Sequence, residues 1–159
     1  YLNQEISRYI SSNMAHETSE EGSRILSAYF KITGNIERIG DHAMNICGYS
    51  ERLKEKGVKL SEAAKEEISQ MQKTCEELLG ILLNEKLEAL DELSRISALE
   101  QRIDDMTDDY REHMLKRIKN GTCSEEGSIL FSEMLTDFER IGDHALNIAQ
   151  EMTQIRLVE

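Results

Sequence analysis

The residues from Glu37 to Ile46 read ERIGDHAMNI, and those from Glu139 to Ile148 read ERIGDHALNI, 102 positions later, with Met44 exchanged for Leu146. Each copy sets one acid four residues before another: Glu37 before Asp41, and Glu139 before Asp143. On a helix, residues four apart stack on one face about one turn apart. Two like charges at that spacing repel by roughly a few tenths of a kcal/mol at an exposed site. A sequence that repeats this cost invites a compensating cation. Apolar packing alone would need only apolar periodicity, not Glu, Arg, Asp and His held in register. A third pair with the same ExxxD spacing is Glu100 and Asp104.

If the helices carrying Glu100/Asp104 and Glu139/Asp143 are antiparallel neighbours, four carboxylates converge into an all-oxygen site. Such a site suits magnesium, calcium, manganese or iron; zinc fits if His42 or His144 joins. The bland alternative stays open, because ExxxD spacings recur on solvated acidic helices, as Asp104 with Asp108 and Asp105 with Asp109 show. The identity of the polar residues around the two decameric pairs favours the ligand reading there. Arg38 and Arg140 read as partners of nearby acids. Gly40 and Gly142 read as packing residues that let another helix approach, despite a cost of about 1 kcal/mol each in helix propensity. His42 and His144 read equally well as site-supporting residues or as satisfied structural histidines.

The elements that must position these groups are helices. Among 159 residues there is no proline, and Leu, Ile, Met, Ala, Glu and Lys fill long stretches without β-branched alternation, so an all-α bundle is expected. Apolar spacing predicts helices over 1–14, 18–56, 61–84, 85–119 and from 122 onward, with capping boxes at Thr18/Glu21 and Thr122/Glu125 and a stop at Gly57. The second helix shows a seam at Tyr29, Ile32, Ile36, Ile39, Ala43 and Ile46; the fifth shows one at Met134, Phe138, Ile141, Ala145 and Ile148. Short connections imply antiparallel neighbours.

The duplication sets the organisation. NQEISRYI near the N-terminus sets loosely against YREHMLKRI at the end of the fourth helix. We therefore expect a single domain of two three-helix repeats, with 1–57 ending the first and 58–159 forming the second. The first repeat lacks its opening helix and half of its second, which we expect upstream of Tyr1 in a longer polypeptide.

Thirty-one acidic against 19 basic residues give a net charge of −12, and no basic stripe reverses it, so nucleic acid is not an expected partner. No apolar run approaches the roughly 18 residues that cross a bilayer, so this segment is not expected to enter a membrane itself. Cys47, Cys75 and Cys123 are widely spaced and odd in number, as expected for reduced thiols in the cytoplasm. The sequence shows no HExxH, phosphate-binding glycine loop or Glu-x-x-His tetrad, which argues against an enzyme.

The two ERIGDHxxNI segments resemble the signature helices of the PhoU family of phosphate-uptake regulators, and Glu100 to Asp104, EQRID, is similar to the acidic motif that precedes the signature helix there. KLSEAAKEEISQM resembles more closely the PhoU-like domain at the C-terminus of bacterial sodium/phosphate cotransporters. The resemblance implies a bundle of two three-helix repeats and metal of the iron or zinc type bound at Glu37, Asp41, Glu100, Asp104, Glu139 and Asp143. In the first repeat, the counterparts of Glu100 and Asp104 would lie before Tyr1. It further implies a non-catalytic regulatory domain acting on a transmembrane phosphate transporter, either fused to it or freestanding, with a homodimer as a further expectation. The alternatives are a carboxylate-bundle metalloenzyme and a purely structural helical module.

Overall fold

In a computed structural model, which describes residues 2–17, 19–84 and 89–156, the chain forms α1 (Leu2–Met14), α2 (Glu20–Glu55), α3 (Glu62–Leu82), α4 (Ala89–Lys119) and α5 (Glu125–Arg156). The all-α antiparallel bundle expected from periodicity is the observed architecture. Helix ends differ from the capping expectation by one or two residues. Thr18 lies outside the described residues, and Ser19 caps α2, its hydroxyl accepting from the Gly22 N–H at 2.9 Å. At α5 the cap is Ser124, which accepts from the Gly127 N–H at 3.0 Å. Thr122 is used by the helix before it: its N–H and its hydroxyl both donate to the Arg117 carbonyl. Gly121, at φ +65°, turns the chain to make that wrap, and Gly57, at φ +64°, does the same after α2; both adopt the left-handed conformation that side chains resist. The expected start of the fourth helix at Glu85 lies outside the described residues.

The core sits among α3, α4 and α5. Met71 and Leu78 of α3, Ile96 and Ile103 of α4, and Phe131, Leu135 and Ala145 of α5 are completely or almost completely buried. Two buried acids are held inside it by paired cations. Glu67 accepts a bidentate bond from Arg117 at 2.7 and 3.0 Å and lies 2.9 Å from His113 Nδ1, while the Arg117 guanidinium lies over Phe131. Glu92, at the other end of α4, accepts from Arg156 at 2.6 Å. A buried carboxylate without such a partner would cost several kcal/mol, so these pairs fix the register of α4 against α3 and α5.

Helix α2 runs antiparallel to α5: Lys31 reaches Glu151, Asn35 reaches His144, His42 reaches Asp137, and Lys56 reaches Glu126. Its other neighbour is α1; among the described residues α2 stands off from α3 and α4. The two seams therefore differ. Phe138 and Ile141 of α5 are buried, whereas Ile36 of α2 is 58% exposed and Ile39 is partly covered.

The two signature glycines differ in the same way. A Cβ on Gly142 would stand 3.3 Å from Ile103 Cδ1 and 3.6 Å from Glu100 Cγ, so α4 approaches α5 where the side chain is missing. A Cβ on Gly40 would meet nothing within 4 Å, so the close-packing role expected for both glycines is observed at Gly142 alone. We expect Gly40→Ala to raise the unfolding free energy by about 0.5–1 kcal/mol through helix propensity. Gly142→Ala should lower it by about 1 kcal/mol, because overpacking outweighs that gain. Urea denaturation of both variants checks this; equal shifts would contradict the asymmetry.

Candidate metal centre

Helices α4 and α5 bring three of the six expected carboxylates together. One oxygen from each of Glu100, Asp104 and Asp143 lies within 4.8 Å of the others, and all three residues are half-buried. Glu100 and Asp104 stack one turn apart on α4, and Asp143 follows the glycine against which Ile103 packs. Apolar packing thus carries the acids into proximity, and two of them, Glu100 and Asp104, are shifted toward their protonated forms. The Glu100 carboxyl is pushed above its ordinary range by burial, then by the charges of Asp104 and Asp143. Asp104 is pushed up by burial, then by Glu139, Asp143, Asp105 and Asp108. One oxygen of Asp104, Oδ1, is fully buried with no hydrogen-bond partner among the described residues, and one turn on, Thr107 Oγ1 is in the same state.

Glu139 stands at the edge of this cluster and is neutralised from the side. Arg111 Nη2 donates to Glu139 Oε2 at 3.2 Å and to Thr136 Oγ1 at 3.1 Å. Arg140 pairs with Asp143 at 3.0 Å, the partner-of-an-acid role expected of it.

The first copy of the signature is arranged differently. Glu37 and Asp41 are exposed on α2, and Glu37 accepts from Asn3 Nδ2 of α1, so the structure does not bring this pair to the α4–α5 cluster. The contact between Asn3 and Glu37 parallels that between Arg111 and Glu139, which fits the loose match of α1 to the end of α4.

The histidines build the crossing of α2 on α5. His42 and His144 stack with ring centroids 5.5 Å apart. His42 Nδ1 lies 2.5 Å from Asp137 Oδ1, and His144 Nδ1 lies 2.9 Å from Asn35 Oδ1. Burial, followed by the charges of His42 and Arg38, lowers the His144 pKa and favours its neutral form. Asp137 and Asn35 went unnoticed in the sequence, yet each lies two residues before a signature decamer at the same 102-residue offset. Extending the repeat by two residues would have found the reciprocal pairs.

Comparison with known proteins agrees with this architecture. The PhoU domain model matches residues 1–49 and 68–152, so the chain belongs to the PhoU domain family. It is 29% identical over 140 residues to the "Phosphate-specific transport system accessory protein PhoU homolog 1" of Thermotoga maritima, an overlap of 83% of this chain and 56% of that protein. The chain thus spans about half the length of this curated relative. No solved structure matches. Among the described residues, no helix is long and apolar enough to cross a membrane.

The raised carboxyls give a pH test with a definite sign. A carboxyl whose folded pKa exceeds its unfolded value holds its proton more tightly in the fold, so stability is greatest in acid and falls as pH rises through the raised value. In chelator, Asp104→Asn should therefore unfold at higher urea than the parent at pH 7. The difference should close as pH drops toward about 4, the ordinary carboxylate range. A variant weaker than the parent at neutral pH would contradict the repulsion described here.

Proposed function

We propose that this chain is a regulatory rather than catalytic module of phosphate transport, and that Glu100, Asp104 and Asp143 hold a cation within it. The name of the Thermotoga maritima relative, an accessory protein of a phosphate-specific transport system, supports the regulatory part. The metal part rests on one observation: carboxylate oxygens of Glu100, Asp104 and Asp143, from two helices, lie within 4.8 Å of one another, and one Asp104 oxygen is buried without a hydrogen-bond partner among the described residues. The donor set fits. Carboxylate oxygens suit iron, manganese or magnesium, and zinc would need a nitrogen that the cluster itself does not supply. When bound, the ion would supply the positive charge that the cluster lacks. Glu139 would flank the site through Arg111, while Glu37 and Asp41 would need further ligands to form a second one.

The module acts in the cytoplasm on a transmembrane phosphate transporter. An acidic bundle does not hold phosphate unaided; it does so through a bound cation or through arginines such as Arg111 and Arg140. We favour fusion to a sodium-dependent phosphate transporter over a freestanding regulator. The resemblance of the segment KLSEAAKEEISQM to the cotransporter type supports that choice.

Elemental analysis of untagged protein, prepared without chelator, tests the site. We expect metal in the parent and in Glu37→Gln/Asp41→Asn, and at least about a tenfold loss of bound metal in Asp104→Asn/Asp143→Asn, since removing two of three charged ligands weakens such a site strongly. In cells lacking the gene, phosphate uptake should cease to follow external phosphate, and the parent but not the Asp104→Asn/Asp143→Asn form should restore it. Normal control without the gene would reject the regulatory reading; normal control by the metal-free double variant would reject a role for the metal.

A further inference from the structure

The threonines inside the described helices share one habit. Thr33 donates its hydroxyl to the Tyr29 carbonyl at 2.8 Å, Thr74 to Gln70 at 3.0 Å, Thr136 to Ser132 at 3.2 Å and Thr153 to Ala149 at 2.8 Å. The carbonyl four residues back is the usual partner of a helical hydroxyl that faces away from water. Thr107 makes no such bond. The residue is 1% exposed, and its Oγ1 is buried with no hydrogen-bond partner among the described residues. Asp104 Oδ1, one turn earlier on α4, is in the same state.

The row to which Thr107 belongs faces α5. Glu100, Asp104, Thr107 and Arg111 follow one another at spacings of four, three and four, so they share one side of α4. Contacts fix both ends of the row: Glu100 and Asp104 lie with Asp143, and Arg111 donates to Glu139 and Thr136. Thr107 therefore stands between the carboxylate cluster and the arginine that flanks it. An apolar side chain would fill this place without an unpaired hydroxyl, as Ile96 and Ile103 fill theirs on the same helix.

Two unpaired oxygens, one turn apart on one face, match the two hydrogens of a single water. A water held by a cation through its oxygen has both hydrogens to donate, and a carboxylate and a hydroxyl each accept. Three carboxylates do not by themselves complete the oxygen shell of magnesium or manganese, and magnesium in particular keeps several waters. We propose that Thr107 is a positioning residue of the α4–α5 cation site, its Oγ1 and Asp104 Oδ1 together holding one water of the ion's shell. This inference rests on the cation reading above and adds a preference to it. A site that fixes a coordinated water suits magnesium or manganese over a four-coordinate zinc.

Manganese and zinc, each titrated alone into metal-free protein, test this. Thr107→Val keeps the shape and removes the hydroxyl; it should bind manganese about tenfold more weakly than the parent, as loss of an outer-shell partner does, and zinc within about twofold of it. Thr107→Ser keeps the hydroxyl and should match the parent for both ions. In chelator, Thr107→Val should unfold at a urea concentration no lower than the parent's, because it removes a buried polar atom that has no partner. A lower one would overturn the proposal by showing the hydroxyl to be bonded within the protein. Manganese held by Thr107→Val as tightly as by the parent would overturn it while leaving the cation site standing, and so would equal losses for manganese and zinc. A parent that binds manganese no better than Asp104→Asn/Asp143→Asn would remove the cation reading, and this proposal with it.

Discussion

Glycine at position 142 lets α4 and α5 approach closely, and the rest of the site follows from that approach. Ile103 occupies the space a Cβ would take, and the residues flanking it on α4, Glu100 and Asp104, are carried toward Asp143. Apolar burial is worth about 25 cal/mol per Å², enough for a core of this kind to override the mutual repulsion of a few half-exposed acids. The carboxyls respond by holding protons more tightly, as the upward shifts at Glu100 and Asp104 record. A cation bound as proposed would compete with protons for these three carboxylates. The core residues that bring them together offer no ligand atoms of their own.

The repeat places one set of residues in two surroundings, which separates what the decamer does from what its neighbours do. Asp143 sits in a cluster and Asp41 in the open; Gly142 is packed and Gly40 is bare. Only the central crossing is shared, where His42 and His144 stack and each reaches across to the residue seven positions before its counterpart. The decamer therefore supplies two faces. One joins the repeats through histidine, and the other presents acids to whatever helix packs against the glycine.

Much of this was legible in the sequence because helical spacing writes the core faces directly: Met71, Cys75 and Leu78, or Phe138, Ile141 and Ala145, are buried as their periodicity required. Caps were less legible, since Thr122 and Ser124 offer the same chemistry and only the left-handed turn at Gly121 decides between them. ExxxD spacing marked Glu100, Asp104 and Asp143 correctly as neighbours but could not show that Arg111 draws Glu139 aside. It also could not show that α2 is open, because the seam of Ile32, Ile36 and Ile39 reads the same whether a helix covers it or not. Periodicity reports which face wants burial. The number of neighbouring helices lies outside it.

The central claim is that the α4–α5 carboxylates form a cation site, and anomalous diffraction from crystals grown with manganese tests it most directly. The account predicts an anomalous peak within about 2.5 Å of oxygens from Glu100, Asp104 and Asp143, in the range of carboxylate ligation. Manganese bound elsewhere on the acidic surface while this cluster stays empty would contradict it.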